Sequence, residues 1–139
     1  MKQEQLLGTW ELVSYESTEP DGRKRLPFGN AVGRITYDAA GNMTGQVMRP
    51  DRPRVNTREG VVEKIRAAYT GFIAYFGTYK VNENGDSVVH HVIGALNPSW
   101  VGGDQVRRMR FEGELLILEA DVVRPDGNAR HVLTWRRIS

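Results

Sequence analysis

Three histidines are the first side chains to consider for chemistry in this 139-residue sequence, and two of them, His90 and His91, are adjacent. Neighbouring side chains of a strand point to opposite faces, so this pair cannot hold one metal ion together. Either one can face an interior and exchange a proton near neutral pH. The alternative is a histidine hydrogen-bonded within a wall or solvated outside. We select His91 as the candidate, and because only His131 remains and cysteine is absent, we predict no metal site.

Tyr79 and Arg107 are the other candidates for a catalytic role. Arg107 shares a strand face with Gln105 and Met109, and its planar fork of donors suits an acidic or carbonyl-bearing ligand, although surface arginines are far commoner. The sequence contains no paired-carboxylate motif, nucleophile elbow, Walker loop or dinucleotide fingerprint. Catalysis would therefore depend on shape, positioning and hydrogen bonds. We predict no cofactor, and we leave open whether the protein is an enzyme.

The elements that must position these residues are strands. Short runs rich in Val, Ile, Thr and aromatic residues recur between Gly, Asn and Asp turns, a pattern typical of antiparallel β structure. Eight strands are predicted: Gly8–Ser17, Ala31–Tyr37, Gly41–Arg49, Phe76–Asn82, Ser87–Leu96, Gln105–Arg110, Glu114–Val123 and Ala129–Arg137. This number is compatible with a closed up-and-down barrel formed by a single domain over residues 1–139.

One helix interrupts the strands. After the Pro50-Asp51-Arg52-Pro53 run, which cannot continue a central strand, apolar residues from Thr57 to about Tyr75 recur at helical spacing. Val61, Ile65 and Phe72 fall on one side, while Lys64 and Arg66 fall largely on the other. We expect this helix to cover one end of the barrel with its apolar side.

Polar and apolar residues are mixed on several strand faces. A tightly packed core would separate them, because a buried polar group without a partner costs about 1 to 3 kcal/mol. Mixed faces favour a cavity that holds a ligand, and aromatic side chains with polar tips suit an amphipathic one. The predicted ligand-binding residues are Tyr37, Gln46, Met48, Tyr75, Tyr79, His91, Trp100 and Arg107. For Trp100, a plug at the base of the barrel is the competing interpretation.

Composition restricts the partners. With 19 Lys and Arg against 17 Asp and Glu, the net charge of +2 provides no field of the size that steers proteins to nucleic acid. No run is long enough for a transmembrane helix, and no apolar run of signal-peptide length follows Met1. Together with the missing cysteines, this indicates a cytoplasmic protein that binds neither nucleic acid nor membrane. A homodimer is possible, but the sequence does not determine the oligomeric state.

Two motifs identify a family. Gly8-Thr9-Trp10 resembles the glycine-x-tryptophan motif that opens the first strand of lipocalins, and Thr134-Trp135-Arg136-Arg137 resembles their closing strand, whose arginine packs across that tryptophan. The whole pattern is similar to the bacterial and fungal lipocalin-like domain proteins. Four segments carry this closer resemblance: Leu7–Ser14, Met48–Pro53, Tyr75–Tyr79 and Leu96–Arg108.

The resemblance implies a lipocalin-like barrel with a ligand cavity, and it leaves three functions in competition. The first is a module that binds a small hydrophobic or amphipathic organic molecule. The second is a cofactor-independent isomerase or cyclase that acts on a polyketide or terpenoid intermediate, since some barrels of this shape in natural-product pathways are pericyclases. The third is a structural or partner-binding barrel with a filled interior, which predicts no cavity above roughly 300 Å³.

Overall fold

The computed structural model describes residues 2–139 and contains one antiparallel sheet of nine strands in the order β2-β1-β3-β4-β5-β6-β7-β8-β9. Apart from the two-residue β2, each strand pairs with its neighbour in the chain, as in a meander. The strands are β1 (Gly8–Thr18), β2 (Lys24–Arg25), β3 (Val32–Tyr37), β4 (Asn42–Met48), β5 (Phe72–Val81), β6 (Ser87–Ala95), β7 (Asp104–Glu112), β8 (Leu115–Arg124) and β9 (Gly127–Arg137). The helices are α1 (Lys2–Leu6), α2 (Val61–Thr70) and a 3-10 turn at Pro98–Trp100.

Pairing of β1 with β9 closes the sheet into a barrel. The register runs from Trp10 opposite Arg137 to Thr18 opposite Arg130, and it shifts between Leu12 and Ser14. This bulge leaves Val13 exposed and changes which residues of β1 face inward: Trp10 before it and Tyr15 after it are both buried. Strict alternation would have placed these two aromatic residues on opposite faces.

The eight long strands confirm the predicted barrel, with small differences at their ends. The mid-chain helix is also confirmed but is shorter than the predicted Thr57–Tyr75 segment, because Phe72 to Tyr75 pair with β4 as the start of β5. None of the residues of α2 is buried. Arg52 holds the end of the helix by donating to the Ala68 carbonyl at 3.0 Å.

A short helix that the sequence analysis missed covers the closed end of the barrel. Leu6 of α1 is fully buried, and its carbonyl accepts a hydrogen bond from Trp10 Nε1 at 2.9 Å. The Arg137 guanidinium lies 4.2 Å from the centre of the Trp10 ring and donates to the Leu7 carbonyl. The contact that the resemblance implies between this tryptophan and the arginine of the closing strand is therefore present.

The connections between the strands distinguish the two ends of the barrel. The short turns at 38–41, 82–86 and 113–114 lie at the end that α1 covers, and the long connections 49–71 and 96–103 lie at the opposite end. The packed core is nearer the α1 end and contains Trp10, Tyr37, Met43, Val88 and Leu116. Toward the other end this packing gives way to a cavity.

Candidate functional site

The barrel encloses a cavity of about 450 Å³. Its volume excludes a filled interior and falls within the range of small-molecule sites. Most of the side chains that border it are apolar or aromatic, and a few polar groups interrupt them. The lining residues are Tyr15, Ile35, Gly45, Gln46, Val47, Ile73, Tyr75, His90, Trp100, Gln105, Arg107, Leu118, Ala120, Asp121, Val122, His131, Leu133 and Trp135.

Strand β6 decides which histidine reaches this cavity. Val88, His90 and Val92 are buried, whereas His91 and Ile93 are exposed, so the inward face of β6 carries His90. His91 lies on the outer face, where its Nδ1 is 2.8 Å from Asp104 Oδ1. The choice of His91 over His90 is therefore corrected, because pairing of β6 with β5 and β7 buries the face that carries His90.

His90 is held between two tyrosine hydroxyls. Tyr37 Oη lies 2.6 Å from Nε2, and Tyr75 Oη lies 2.6 Å from Nδ1. Burial, with a smaller contribution from the charge of Arg107, lowers the pKa of His90 to about 3. The ring is therefore neutral near pH 7, with one nitrogen donating a hydrogen bond and the other accepting one. Burial also raises the pKa of both tyrosines, so both phenols keep their protons.

A second tyrosine–histidine pair borders the cavity. Tyr15 Oη lies 2.6 Å from His131 Nδ1, which brings β1 and β9 together at the closing seam. Burial raises the pKa of Tyr15 to about 12 and lowers that of His131. Neutral imidazole and neutral phenol thus share a hydrogen bond here as well.

Arg107 is the cation of the cavity wall. It is half-buried in β7, and its guanidinium donates to Gln105 Oε1 at 3.1 Å and to the Val106 carbonyl at 3.0 Å. Arg107 borders the cavity together with Tyr15, Tyr75 and His90, and its charge lowers the pKa values of all three.

The structure brings three predicted ligand-binding side chains together at the cavity: Tyr75, Trp100 and Arg107. Tyr75 and Trp100 meet edge to face, with ring centres 6.2 Å apart. Trp100 is half-buried at the cavity end of the barrel and does not plug its base. Tyr37 lies beneath the cavity and reaches it only through His90.

The remaining predicted ligand-binding residues are Tyr79, Gln46 and Met48. Tyr79 is buried in the packed core, where its hydroxyl donates to the Asp38 carbonyl at 2.7 Å. In β4 the buried residues are Met43, Gly45 and Val47, so Gln46 and Met48 carry their side chains on the outer face. Gln46 borders the cavity, yet its amide donates to Thr44 Oγ1 on the outside. These placements correct the expectations for Tyr79 and Met48, whereas Gln46 borders the cavity with its amide turned outward.

Three residues of the site were missed: His90, Tyr15 and His131. For Tyr15 the sequence offers no signal, because the bulge that turns it inward depends on pairing with β9. For His131 a signal exists, since it alternates with Ala129, Leu133 and Trp135 on a face suited to burial. Within residues 2–139 no three potential metal ligands cluster, and no helix is long and apolar enough to cross a membrane.

Comparisons with known proteins were made for the whole chain. Residues 7–138 match the family described as the lipocalin-like domain. A curated protein of Aspergillus oryzae, the 4'-hydroxy-3'-methoxypropiophenone carrier protein, is 32% identical over 109 residues, which cover 69% of this chain and 96% of that protein. A solved structure of the siderocalin Ex-FABP, described as functioning through dual ligand specificities, aligns over 96% of this chain and 71% of that chain, with a TM-score of 0.36 and 11% identity.

Proposed function

The chain belongs to the lipocalin-like domain family, and from this premise we propose that it binds a small hydrophobic or amphipathic organic molecule inside its barrel. The observation that carries the proposal is the cavity of about 450 Å³, walled by apolar and aromatic side chains and supplied with a few polar groups. Sites of this size and composition bury most of a drug-sized ligand.

We further propose that the ligand is a small aromatic ketone. The relative from Aspergillus oryzae is named as the carrier of such a molecule. The edge-to-face pair of Tyr75 and Trp100 supplies aromatic surface for a flat ring, and the Tyr75 hydroxyl and the Arg107 guanidinium supply hydrogen-bond donors for its oxygens.

The test is binding of the neutral fluorophore phenylnaphthylamine and its displacement by aromatic ketones. Ala120 borders the cavity, so Ala120→Phe should fill part of the space and abolish binding. The matched control is Val106→Phe on the outer face of β7, where Val106 is 57% exposed. Binding that survives in Ala120→Phe would place the fluorophore outside the barrel and remove the proposal.

A cofactor-independent isomerase or cyclase is a second candidate, favoured by the two tyrosine–histidine pairs that border the cavity. Such pairs can give and accept protons in a space shielded from water. An enzyme of this kind would accelerate the exchange of hydrogens next to the carbonyl of a bound aromatic ketone in deuterated water. Loss of that acceleration in Tyr75→Phe, with binding retained, would support catalysis. Exchange at the rate of the free ketone would exclude this catalysis, and ligand binding would remain as the function.

A further inference from the structure

Arg107 is a cation at the cavity wall without a counter-ion. Within residues 2–139 no carboxylate forms an ion pair with its guanidinium, which donates only to an amide oxygen and a main-chain carbonyl. Asp121 also borders the cavity, but Arg108 holds its carboxylate at 3.0 Å. The outer-face arginines of the same strand, Arg108 and Arg110, both have carboxylate partners. Arg107 thus retains an unsatisfied preference for a negative group inside the barrel.

The hydrogen bonds around His90 determine where the Tyr75 proton points. Tyr37 is 1% exposed, and in the described part of the chain its hydroxyl has only His90 Nε2 as a partner. If Nε2 were the donor, the Tyr37 hydroxyl hydrogen would be buried without an acceptor, which is costly. Tyr37 therefore donates to Nε2, and the neutral ring carries its hydrogen on Nδ1.

This tautomer fixes the direction of the hydrogen bond between His90 and Tyr75. His90 Nδ1 donates to Tyr75 Oη, so the hydroxyl hydrogen of Tyr75 is not used in that bond. Tyr75 borders the cavity, and in residues 2–139 its hydroxyl has no further partner. The buried relay Tyr37–His90–Tyr75 thus presents a hydroxyl donor to the cavity, and the same cavity is bordered by the guanidinium of Arg107.

We infer that the cavity recognises an oxyanion, such as a phenolate, enolate or carboxylate, carried by an otherwise apolar ligand and bound by Arg107 and the Tyr75 hydroxyl. This inference rests on the proposed function, because it assumes that the cavity is the binding site. It specifies the ligand class further: an aromatic ketone with an acidic hydroxyl fits, and its ether derivative lacks the required group. Hydrogen bonds that involve an ionised group are about twice as strong as neutral ones.

The experiment compares two fluorophores that share one aromatic skeleton: anionic anilinonaphthalenesulfonate and neutral phenylnaphthylamine. Arg107→Met should weaken binding of the sulfonate roughly 10- to 100-fold, as expected for loss of a charged hydrogen bond, and change binding of the neutral amine by less than about threefold. Tyr75→Phe should weaken sulfonate binding by a smaller factor with the same selectivity. Arg110→Met, on the outer face of the same strand, removes an equal charge, and its partners Glu112 and Glu119 do not border the cavity, so it should affect neither probe.

The outcomes separate this inference from the proposed function. Equal losses for both fluorophores in Arg107→Met, or no loss for either one, would overturn the oxyanion site while cavity binding stands. Retained binding of the neutral amine also shows that the variant is folded. If neither fluorophore binds the wild-type protein, or if Ala120→Phe still binds phenylnaphthylamine, the proposed function falls and this inference falls with it.

Discussion

At the scale of single residues, the interior is organised around neutral histidines whose ring nitrogens are engaged by tyrosine hydroxyls. Each ring nitrogen of His90 is hydrogen-bonded to a tyrosine hydroxyl, and Nδ1 of His131 is hydrogen-bonded to the hydroxyl of Tyr15. Burial of such a polar group costs little free energy only when its hydrogen bonds are made. The same bonds restrain Tyr37 and Tyr75, and Tyr75 borders the cavity.

His90 makes acid stability a testable property. Its pKa of about 3 in the folded protein lies below the usual 6.5, so the unfolded chain takes up the proton first as the pH falls. Its contribution to the free energy of unfolding is complete above pH 6.5 and is lost as the pH falls toward 3. The expected loss approaches about 1.4 kcal/mol per pH unit within that range.

Urea unfolding of the wild type and of His90→Gln checks this expectation, because glutamine does not titrate. Between about pH 7 and about pH 5, the stability advantage of the wild type should shrink by up to about 2 kcal/mol. The carboxylates and His131 are common to both proteins, so their titration cancels in the difference. A difference that stays constant with pH would mean that His90 is accessible to water and protons.

The contrast between His90 and His91 also shows where sequence reasoning ends at this scale. Both alternating sets of β6 combine valine or isoleucine with one histidine, so the pattern carries no preference. Only the pairing of β6 with β5 and β7 decides which set is buried. In β9, by contrast, the inward set contains Trp135, Leu133 and Ala129, and the alternation alone favours the correct face.

At the scale of elements, strands were predictable and helices less so. Eight runs of β-forming residues bounded by turn residues correspond to eight strands. The end of α2 was placed too late because Phe72 and Tyr75 continue its apolar spacing, yet pairing with β4 draws both into β5. The helix α1 has only five residues, too few for periodicity to reveal, and its position depends on burying Leu6.

The Leu6 side chain should therefore contribute far more to stability than an exposed apolar side chain of α2 does. Leu6→Ala removes a fully buried side chain from the closed end and should lower the free energy of unfolding by about 2 to 5 kcal/mol. Val62→Ala in α2, where Val62 is 64% exposed, should change it by less than about 0.5 kcal/mol. Urea denaturation measures both. Similar losses in the two variants would contradict the assignment of α1 as the helix that covers the closed end of the barrel.

Within the Tyr75–Tyr79 segment, position 77 requires a glycine. At the irregularity between β5 and β6, a β-carbon on Gly77 would lie 1.8 Å from the His91 carbonyl oxygen, a clash with backbone. Gly77→Ala should cost about 1 to 3 kcal/mol. On Gly94, the three atoms nearest to a β-carbon all belong to the ring of Phe76, which is exposed and can rotate away. We expect Gly94→Ala to be the milder change in thermal unfolding, and the reverse order would contradict this account.

At the scale of the whole molecule, a closed sheet carries the stability and α2 lies outside it. Leu116, Ile117 and Leu118 of β8 are buried, whereas α2 has no buried residue. Opening of α2 should therefore cost little, while opening of β8 requires the barrel to come apart. The family resemblance predicted the barrel and its cavity, but the place of Tyr15 in the wall depended on the bulge of β1 and that of His90 on the pairing of β6, and a sequence reveals neither.

Hydrogen exchange tests this division. Amides of 64–70 should exchange much faster than those of 116–118, measured by mass spectrometry of peptides from the intact protein. A ligand held in the cavity should slow exchange in the strands that border it. Equal protection in α2 and β8 would show that the helix belongs to the same cooperative unit as the barrel.

Closure of the barrel by β1 and β9 has a consequence for synthesis on the ribosome. β1 is made before the other strands and its partner β9 after them, so the nascent chain carries an open edge on β1 while β3 to β8 appear. Strands β3 to β8 can pair as they appear, each with its predecessor. The seam, with Tyr15 meeting His131, forms only when β9 has left the exit tunnel, so the cavity is completed after all the other strands have paired.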